Sequence, residues 1–348
     1  MRLGFLILLT FAWTADVWAD IVPSPAPWTV TPNFEKNADA REALSGAACA
    51  HKTGHCLAVN DEKRYAQFFD IVGRTIEPKE VIGLLSATVG GIEMDEIDAE
   101  GAAYVPATQT GKPSYFYVIG SHGLSRNGEL QLSRFSLIRF PVDASTGRPT
   151  FSFNDDNPTP DIERSADLRA TIKNIANLAA HAEQRLDRNG VTIEGIAFTG
   201  DDTLFGLRSP CESAHALIMR VPTKELFSNS IPTGTTKSLG LGDNVGVRDL
   251  AKVNNGILIL AGRSDDNRGD QQFTCGEQRT PPKPVPSIWF WSGKDADDAK
   301  PLGILPGIAP GDSAETLLLL GETDVAYRVL VLFDGVSNGG PVEFSVDK

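Results

Sequence analysis

Short apolar segments, each bounded by turn-forming residues, recur along most of the chain. Each segment has four to eight residues, is rich in Val, Ile, Phe and Tyr, and ends near Gly, Asn, Asp or Pro. This pattern is typical of β-strands. The segments are 57–60, 115–120, 133–140, 203–208, 214–221, 257–262, 288–291 and 327–333. The pattern predicts an all-β protein built from short strands.

One segment has the periodicity of a helix instead. Between Ser165 and Arg188 the apolar positions are 168, 172, 175, 178, 179, 182 and 186, and Asn189-Gly190 follows as a stop signal. This spacing places the apolar side chains on one face of a helix. We expect a single helical insertion, at about 165–188, that lies over one face of the strand-built domain.

The strands belong to a repeating unit, in which a strand with an acidic residue is followed by a turn and an apolar strand ending in a polar residue. Glu194 precedes Arg208 by 14 residues, Asp249 precedes Arg263 by the same distance, and the two copies are 55 residues apart. Looser copies start at 98–100 and 314–315, and a partial copy starts at 55. Strand-built repeats of this length are typical of β-propeller blades. The sequence predicts a propeller of five or six blades, with a β-sandwich with long loops as the alternative.

The amino terminus has the features of an export signal. Arg2 precedes an apolar run over 3–13, and Val17-Trp18-Ala19 has small residues where a signal peptidase recognises its substrate. We predict a signal peptide over 1–19, with cleavage after Ala15 and an uncleaved anchor as alternatives. A Pro-rich lead-in over 20–45 and a single propeller domain over 46–348 would follow. The protein would then be exported, to the periplasm or beyond.

The four cysteines fit that location, because an oxidising compartment permits disulfides. Cys49 and Cys56 are too close in sequence to form a zinc site with the two histidines beside them. We favour the pairs Cys49–Cys56 and Cys211–Cys275, and the two other connectivities remain open.

The charge balance excludes some partners. The chain has 32 Lys and Arg against 45 Asp and Glu, a net charge of −13, whereas nucleic-acid backbones and anionic lipids both attract basic surfaces. No segment after residue 19 is apolar for the roughly 20 residues that a membrane-spanning helix needs. We expect a monomer whose ligand is a small molecule, a glycan or a peptide, with no nucleic-acid partner and no membrane span.

The acidic residues of the repeat are the candidate functional groups. In a propeller the innermost strands line a central channel, so Glu100, Glu194, Asp249 and Glu315 would face one another and require a cation or arginines between them. Oxygen ligands suit Ca²⁺, and we predict a Ca²⁺ site at Glu100, Glu194 and Asp249. The alternative is direct pairing of these acids with Arg208, Arg248 and Arg263.

His122 follows an apolar strand directly, in the sequence 120–123 (Gly-Ser-His-Gly). A histidine in that place could transfer protons or bind a ligand. We predict His122, Arg208 and Arg248 as the catalytic residues. An exposed loop histidine without a catalytic role is the alternative.

Several of these stretches resemble the bacterial domain of unknown function 3616 family. The resemblance covers about residues 46–335, and it rests on 57–62, 100–102, 120–122, Arg134, 139–140, 193–197, 206–210 and 246–250. The family is similar in pattern to esterase-like phytases and lactonase-like propellers. The resemblance implies a propeller with a polar channel mouth, and it brings no established activity.

These observations lead to two function hypotheses. The first is an exported, cation-assisted hydrolase of an ester, lactone or phosphoester, in which the cation polarises the substrate and the arginines stabilise developing negative charge. The second is a non-catalytic propeller that binds a ligand or a partner at the same place. Neither requires a nucleotide or an organic cofactor.

Overall fold

The structure is a computed structural model that describes residues 20–35, 37–50, 53–109, 111–264, 284–308 and 313–348. In chain order its elements are β1 (Ile21–Pro23), β2 (Thr29–Val30), α1 (Ala38–Glu42), β3 (Leu44–Cys49), β4 (His55–Asn60), β5 (Tyr65–Val72), β6 (Thr75–Gly83), β7 (Thr88–Val89), β8 (Ile92–Glu93), β9 (Ala99–Val105), β10 (Ser114–Gly120), β11 (Leu137–Val142), β12 (Glu163–Ser165), α2 (Leu168–Asn174), α3 (Ala176–Ala179), β13 (Thr192–Thr199), β14 (Asp202–Ser209), β15 (Ala216–Pro222), β16 (Thr235–Leu239), β17 (Val245–Val253), β18 (Gly256–Arg263), β19 (Ser287–Trp291), β20 (Lys300–Ile304), β21 (Ala314–Glu322), β22 (Ala326–Phe333) and β23 (Val342–Asp347). Short 3₁₀ turns lie at Leu186–Arg188, Thr223–Glu225 and Ser337–Gly339.

The strands form a five-bladed β-propeller. Blade 1 contains β3 to β6, blade 2 contains β9 to β12, blade 3 contains β13 to β16, blade 4 contains β17 to β20, and blade 5 contains β21 to β23. The innermost strands β3, β9, β13, β17 and β21 contact one another in turn around a closed ring. This confirms the predicted propeller and excludes the β-sandwich alternative.

The two ends of the chain close the fifth blade and do not form a sixth. Strand β1 pairs with β23, with Ile21 opposite Val346, and so becomes the outermost strand of blade 5. Strand β2 pairs in parallel with β6 at the outer edge of blade 1. The segment expected to be only a lead-in therefore contributes strands to two blades.

The hydrophobic core lies between neighbouring blades. Phe68 of blade 1 packs against Phe116 and Phe140 of blade 2, with ring centroids 6.3 and 6.2 Å apart. Similar clusters of buried aliphatic side chains fill the spaces between the other blades. Alternation along the strands explains this arrangement, because successive side chains point to opposite faces of a blade.

The predicted continuous helix over 165–188 is wrong, although the segment is an insertion. Helix α2 ends before Ile175, whose backbone is extended (φ −87°, ψ 119°), and the shorter α3 follows. Five of the seven predicted apolar positions, 168, 172, 175, 178 and 182, are buried in the cluster between blades 2 and 3, whereas Ala179 is exposed and Leu186 is only partly buried. Packing against these two blades outweighs the helical preference of the sequence, since most of the stability of a short helix comes from tertiary contacts.

The two faces of the propeller differ in their loops. On one face, residues 73–74, 200–201 and 254–255 make tight turns between strands. On the other face, where the innermost strands begin, the connections over 84–98, 121–136 and 166–191 are long. We call this second face the channel mouth. Long loops held by a rigid scaffold are a common location for binding and catalytic residues.

The predicted disulfide between Cys49 and Cys56 is confirmed, and it joins the paired ends of β3 and β4. Cys275 and the predicted signal peptide over 1–19 lie outside the described residues, so the pair Cys211–Cys275 and the signal peptide stay predictions. Of the helices that the structure describes, none has the length and apolar character of a membrane-spanning helix.

Candidate active site at the channel mouth

Each innermost strand has a β-bulge close to its start at the channel mouth. The ladder of each blade skips one residue there, so the extra residue has no partner on the second strand. The bulged residues are Ser45, Glu100, Glu194, Arg248 and Glu315. We call these five equivalent positions the inner ring. Bulges commonly redirect a side chain towards a functional site.

The second strand of each blade contributes a further set of equivalent positions. On the second strand, the residue that pairs with the innermost strand just before the bulge is followed directly by this position, which lies within one residue of the strand's end. These positions are Asp61, Ser121, Arg208, Gly262 and Asp334. We call them the second ring. Together the two rings contain more carboxyl groups than arginines.

The strand pairing within blades 3 and 4 shifts the alignment of these two repeats by one residue from the one that the sequence suggested. Blades 3 and 4 superpose with an offset of 54 residues, which makes Arg248, and not Asp249, the counterpart of Glu194. Asp249 is the counterpart of Gly195. Its carboxylate accepts hydrogen bonds from the backbone N–H of Leu250 and of Leu317, both at 2.7 Å, and so connects blade 4 to blade 5.

The glycine after the bulged residue allows neighbouring innermost strands to approach closely. A Cβ atom on Gly46 would lie 2.7 Å from the Cα of Gly101, and one on Gly195 would lie 2.9 Å from the backbone nitrogen of Leu250. These distances are too short for any side chain. The recurring Glu-Gly pair is therefore a packing requirement of the inner ring as well as a source of acidic groups.

Glu194 is held between two arginines. Arg208 Nη1 lies 3.1 Å from Glu194 Oε1, and Arg248 Nη2 lies 3.3 Å from Glu194 Oε2. Arg248 also pairs with Glu315 of blade 5. The direct pairing of acids with arginines, one of the alternatives from the sequence, is thus present for Glu194 and Glu315.

Burial affects the charge of these groups. It disfavours the charged form of Arg248, but the Glu194 and Glu315 carboxylates outweigh this effect and raise the pKa of Arg248. Burial raises the pKa of Glu315 to about 8, against the opposing effect of the Arg248 guanidinium. Arg248 therefore stays charged, and Glu315 can bind a proton near neutral pH.

Glu100 differs from Glu194, although both occupy the inner ring. Its side chain is nine-tenths buried, and its carboxyl group accepts no hydrogen bond from the residues that the structure describes. Burial, with the nearby Glu194 and Asp98 carboxylates adding to it, raises the pKa of Glu100 well above its usual value. Because Ser121 occupies in blade 2 the place that Arg208 has in blade 3, Glu100 lacks the guanidinium that its counterpart Glu194 has.

Further acids surround Glu100. Burial, followed by repulsion from Asp98 and Asp334, raises the pKa of Asp61 to about 8. The buried Oδ1 of Asp61 has no hydrogen-bond partner among the described residues. Burial also raises the pKa of Asp98, although Arg134 lies 2.8 Å from its Oδ2. The acidic groups of the mouth therefore concentrate on blades 5, 1 and 2, whereas Arg208 and Arg248 lie on blades 3 and 4.

His122 lies outside this cluster. It is fully buried, its Nδ1 lies 2.9 Å from the carbonyl oxygen of Gly120, and its ring packs near that of Phe135. Burial lowers the pKa of His122 to about 4, so the ring is neutral at physiological pH. His122 follows the second-ring residue Ser121 by one position, and a shift of one residue turns a side chain towards the opposite face.

The residues expected to hold Ca²⁺ do not present a matching set of oxygen ligands. The oxygens of Glu194 bind arginines and those of Asp249 accept backbone hydrogen bonds, so only Glu100 of the three lacks a donor in the described part of the chain. Over the same residues, no group of three or more His, Cys, Asp or Glu side chains has an arrangement suited to a metal ion.

Sequence reasoning missed three acidic groups of the site, Asp61, Asp98 and Asp334. Asp61 and Asp334 follow the apolar second strands of blades 1 and 5, at the end of the repeating unit where a polar residue was noticed. Aligning the ends of these second strands with Arg208 would have identified the second ring.

Comparisons with known structures concern the fold. The chain is similar to an exo-β-1,3-galactanase from Phanerochaete chrysosporium, with 9% identity and a TM-score of 0.45 over 94% of this chain and 64% of that one. It is also similar to an α-L-arabinofuranosidase from Podospora anserina, with 9% identity and a TM-score of 0.45 over 92% and 96%. The β-propeller domain of Nup133 from Vanderwaltozyma polyspora matches with 10% identity and a TM-score of 0.37 over 87% and 71%.

The chain spans less than two thirds of the length of the galactanase. No curated protein matches it significantly in sequence. The model of a family described as proteins of unknown function, DUF3616, matches residues 131–340. This match covers more than half of the chain, which therefore belongs to the DUF3616 family.

Proposed function

We propose that this protein is a hydrolase of an ester or lactone bond, with its active site at the channel mouth. The observation that carries the proposal is the state of Glu100. It is a buried carboxyl group with a raised pKa and no hydrogen-bond donor from the described residues, and it interacts electrostatically with Arg248, one of the two arginines that Glu194 holds. A titratable group whose pKa is shifted by burial and by charged neighbours is a candidate for proton transfer.

Glu100 would transfer the proton, which is the role that the sequence suggested for His122. A raised pKa makes its carboxylate a stronger base than an ordinary glutamate and keeps its carboxylic acid available as a proton donor at higher pH than usual. Glu100 occupies the inner ring and lies near the Glu194 and Asp98 carboxylates, whereas His122 packs against Phe135.

Arg208 and Arg248 would stabilise the negative charge that develops on the substrate carbonyl oxygen. Glu194 contacts both guanidinium groups and fixes their positions before the substrate binds. Donors that are already oriented need no rearrangement in the transition state, which is why such groups contribute strongly to catalysis.

The proposed reaction follows from these roles. The Glu100 carboxylate accepts a proton from water as the water oxygen attacks the carbonyl carbon, and the arginines stabilise the resulting oxyanion. When the bond to the leaving oxygen breaks, Glu100 returns the proton to that oxygen. The products are a carboxylic acid and an alcohol, or a hydroxy acid from a lactone, and Glu100 is again a carboxylate.

We infer that the protein acts outside the cytoplasm. A disulfide such as Cys49–Cys56 persists in oxidising compartments and is rare in the cytosol. Detection of a protein that begins at residue 20 in the periplasmic or culture fraction would support this inference. A protein retained in the cytosol with residues 1–19 intact would contradict it.

Assays of the purified protein on chromogenic esters, lactones and phosphoesters test the proposed reaction. We expect turnover of an ester or a lactone, and we expect Glu100→Gln to lower kcat by roughly 100-fold or more, the usual contribution of general acid–base catalysis. The matched control is Glu80→Gln, an exposed glutamate on strand β6 of blade 1, which should keep the wild-type kcat.

Two results would contradict the hydrolase proposal. The first is equal kcat in the wild type and Glu100→Gln, which would remove Glu100 from the mechanism. The second is no turnover of any substrate by a folded wild-type protein, which would favour the non-catalytic, ligand-binding alternative.

A further inference from the structure

Three carboxyl groups at the channel mouth, those of Asp61, Glu100 and Asp334, have no hydrogen bond or ion pair with any other residue that the structure describes. They belong to blades 1, 2 and 5, which are neighbours in the closed ring. In blade 3 the inner-ring acid Glu194 is paired with the second-ring Arg208. The two rings contain no arginine in blades 5, 1 and 2, so these three acids lack such a partner.

Backbone hydrogen bonds bring Asp61 and Asp334 together at the start of blade 1. The N–H of Asp61 donates to the carbonyl oxygen of Ala43 at 3.3 Å. The N–H of Gly335, directly after Asp334, donates to the carbonyl oxygen of Glu42 at 2.7 Å. The two acids are therefore anchored at consecutive residues, although they are far apart in the chain.

Glu100 joins this pair from blade 2. The hydroxyl group of Ser45, the uncharged inner-ring residue of blade 1, donates to the carbonyl oxygen of Ala99, directly before Glu100. Glu100 is nine-tenths buried, and the buried Oδ1 of Asp61 has no hydrogen-bond partner among the described residues. Buried polar atoms normally have a partner, so each exception requires an explanation.

Neighbouring carboxyl groups repel one another when they are ionised. Burial, followed by repulsion from nearby carboxylates, raises the pKa of Asp61 to about 8 and that of Glu100 well above its usual value. Arg248 attracts Glu100 and Asp334 from blade 4, but its ion pairs are with the acids of blades 3 and 5. The three carboxyl groups therefore favour bound protons unless a cation replaces them.

The arrangement of these acids suits an ammonium group better than a metal ion. Over the described residues, no three acidic, histidine or cysteine side chains are arranged to hold a metal ion. Ca²⁺ needs oxygens at about 2.3–2.6 Å, whereas an ammonium group makes hydrogen bonds of about 2.7–2.9 Å and tolerates a wider spacing. A primary ammonium group has three N–H donors for such oxygens, whereas a quaternary one has none and prefers aromatic faces.

We propose that Asp61 and Asp334 bind a primary ammonium group of the substrate, beside Glu100. The inference rests on the proposed function and specifies its substrate as an ester or lactone that has an amino group. The ammonium group would displace a proton from Asp61 to the solvent, and its charge would stabilise the carboxylate form of Glu100 that the proposed reaction requires. The net charge of −13 would attract such a substrate.

Isothermal titration of the purified protein at pH 7 with n-butylammonium chloride measures this binding without any turnover. We expect saturable binding with release of up to about one proton for each cation, which titrations in two buffers of different ionisation enthalpy measure. Asp61→Asn and Asp334→Asn should each weaken binding by about tenfold or more, the effect of losing a charge-assisted hydrogen bond. Asp61→Asn should also abolish the proton release.

Asp201→Asn is the matched control for these variants. Asp201 is exposed and lies in a tight turn of blade 3, on the face opposite the channel mouth, so this variant should bind like the wild type. Tetramethylammonium chloride controls for charge without N–H donors, and calcium chloride tests for a metal site. A melting curve of each variant would establish that it is folded.

Chromogenic esters of ε-aminocaproate and heptanoate test whether the ammonium group belongs to the substrate. Their acyl chains have equal numbers of non-hydrogen atoms and differ in the charge at the end. The wild type should have a kcat/KM about tenfold higher for the amino ester, and Asp61→Asn should lose this preference.

The proposal would be overturned if n-butylammonium did not bind to the wild type, or if folded Asp61→Asn bound it as tightly. Binding of tetramethylammonium or Ca²⁺ as tight as that of n-butylammonium, or equal kcat/KM for the two esters, would overturn it too. Failure of the hydrolase proposal gives a different result. In that case neither ester would turn over, or Glu100→Gln would leave turnover unchanged, while n-butylammonium would still bind and still depend on Asp61.

Discussion

The raised pKa of Asp61 predicts that the stability of this protein depends on pH in a way that a single substitution can reveal. The carboxyl group has a pKa of about 8 in the folded protein, against an ordinary value of 3.8. Between these values the folded state retains a proton that the unfolded state releases. Stability from this group is therefore complete below about pH 4 and is lost as the pH rises through 8.

The size of the effect follows from the number of protons retained. Each proton bound only by the folded state lowers the free energy of unfolding by about 1.4 kcal/mol for each unit of rising pH. Asp61→Asn removes one such proton and preserves the shape of the side chain. From pH 5 to pH 7 the free energy of unfolding should fall less steeply than in the wild type, by about 3 kcal/mol over the interval.

Urea unfolding at pH 5, 6 and 7, followed by tryptophan fluorescence, measures this difference. Asp143→Asn is the control, because hydrogen bonds from Ser145 and Thr146 lower the pKa of Asp143 to about 2. Asp143 is then ionised in both states over this range, and its variant should give a curve parallel to the wild type. A parallel curve for Asp61→Asn as well would refute the reasoning about the acidic cluster.

Three further predictions concern the inner ring and its surroundings. Gly195→Ala should lower the free energy of unfolding by about 1–3 kcal/mol, because its Cβ would lie 2.9 Å from the backbone nitrogen of Leu250, and chemical denaturation measures this loss. His122→Gln should leave the pH dependence of kcat unchanged between pH 5 and 8, since the histidine is already neutral there; a shifted profile would return His122 to the mechanism. A chelator should leave the melting temperature unchanged, since Glu194 and Asp249 already have partners; a fall in melting temperature that Ca²⁺ reverses would support the cation site predicted from the sequence.

Much of the fold could be predicted from local patterns. The apolar segments at 115–120, 257–262 and 327–333 correspond to β10, β18 and β22, and the repeat predicted the blades. Short continuous apolar runs mark these strands in the sequence, because each blade buries both of its faces against its neighbours. The break in the helix at Ile175 could not be predicted from local patterns, because contacts with blades 2 and 3 determine where α2 ends.

The residues of the candidate site could not be aligned correctly from the repeat, because the register between the innermost and second strands is not visible in the sequence. Arg248 and Asp249 are adjacent in the sequence, so either could be the counterpart of Glu194. Matching the Arg-Ser pairs at 208–209 and 263–264 aligns Asp249 with Glu194. The bulge inserts one residue into the inner strand without changing the apolar pattern, so the ladder alone identifies Arg248 as the counterpart of Glu194. The same shift of one residue separates His122 from the mouth and places Ser121 there.

The sequence by itself determined that this chain is an all-β propeller with acids and arginines near the starts of its blades, because these features are local and repeat. The tertiary structure decided which of them meet. Closure of five blades brings Asp61 of blade 1 near Asp334 of blade 5, far apart in the chain, and places Glu100 beside carboxyl groups without a guanidinium of its own. Those contacts give two glutamates in equivalent positions different chemistry, because Glu194 is held by two arginines while Glu100 lies among carboxyl groups that raise its pKa.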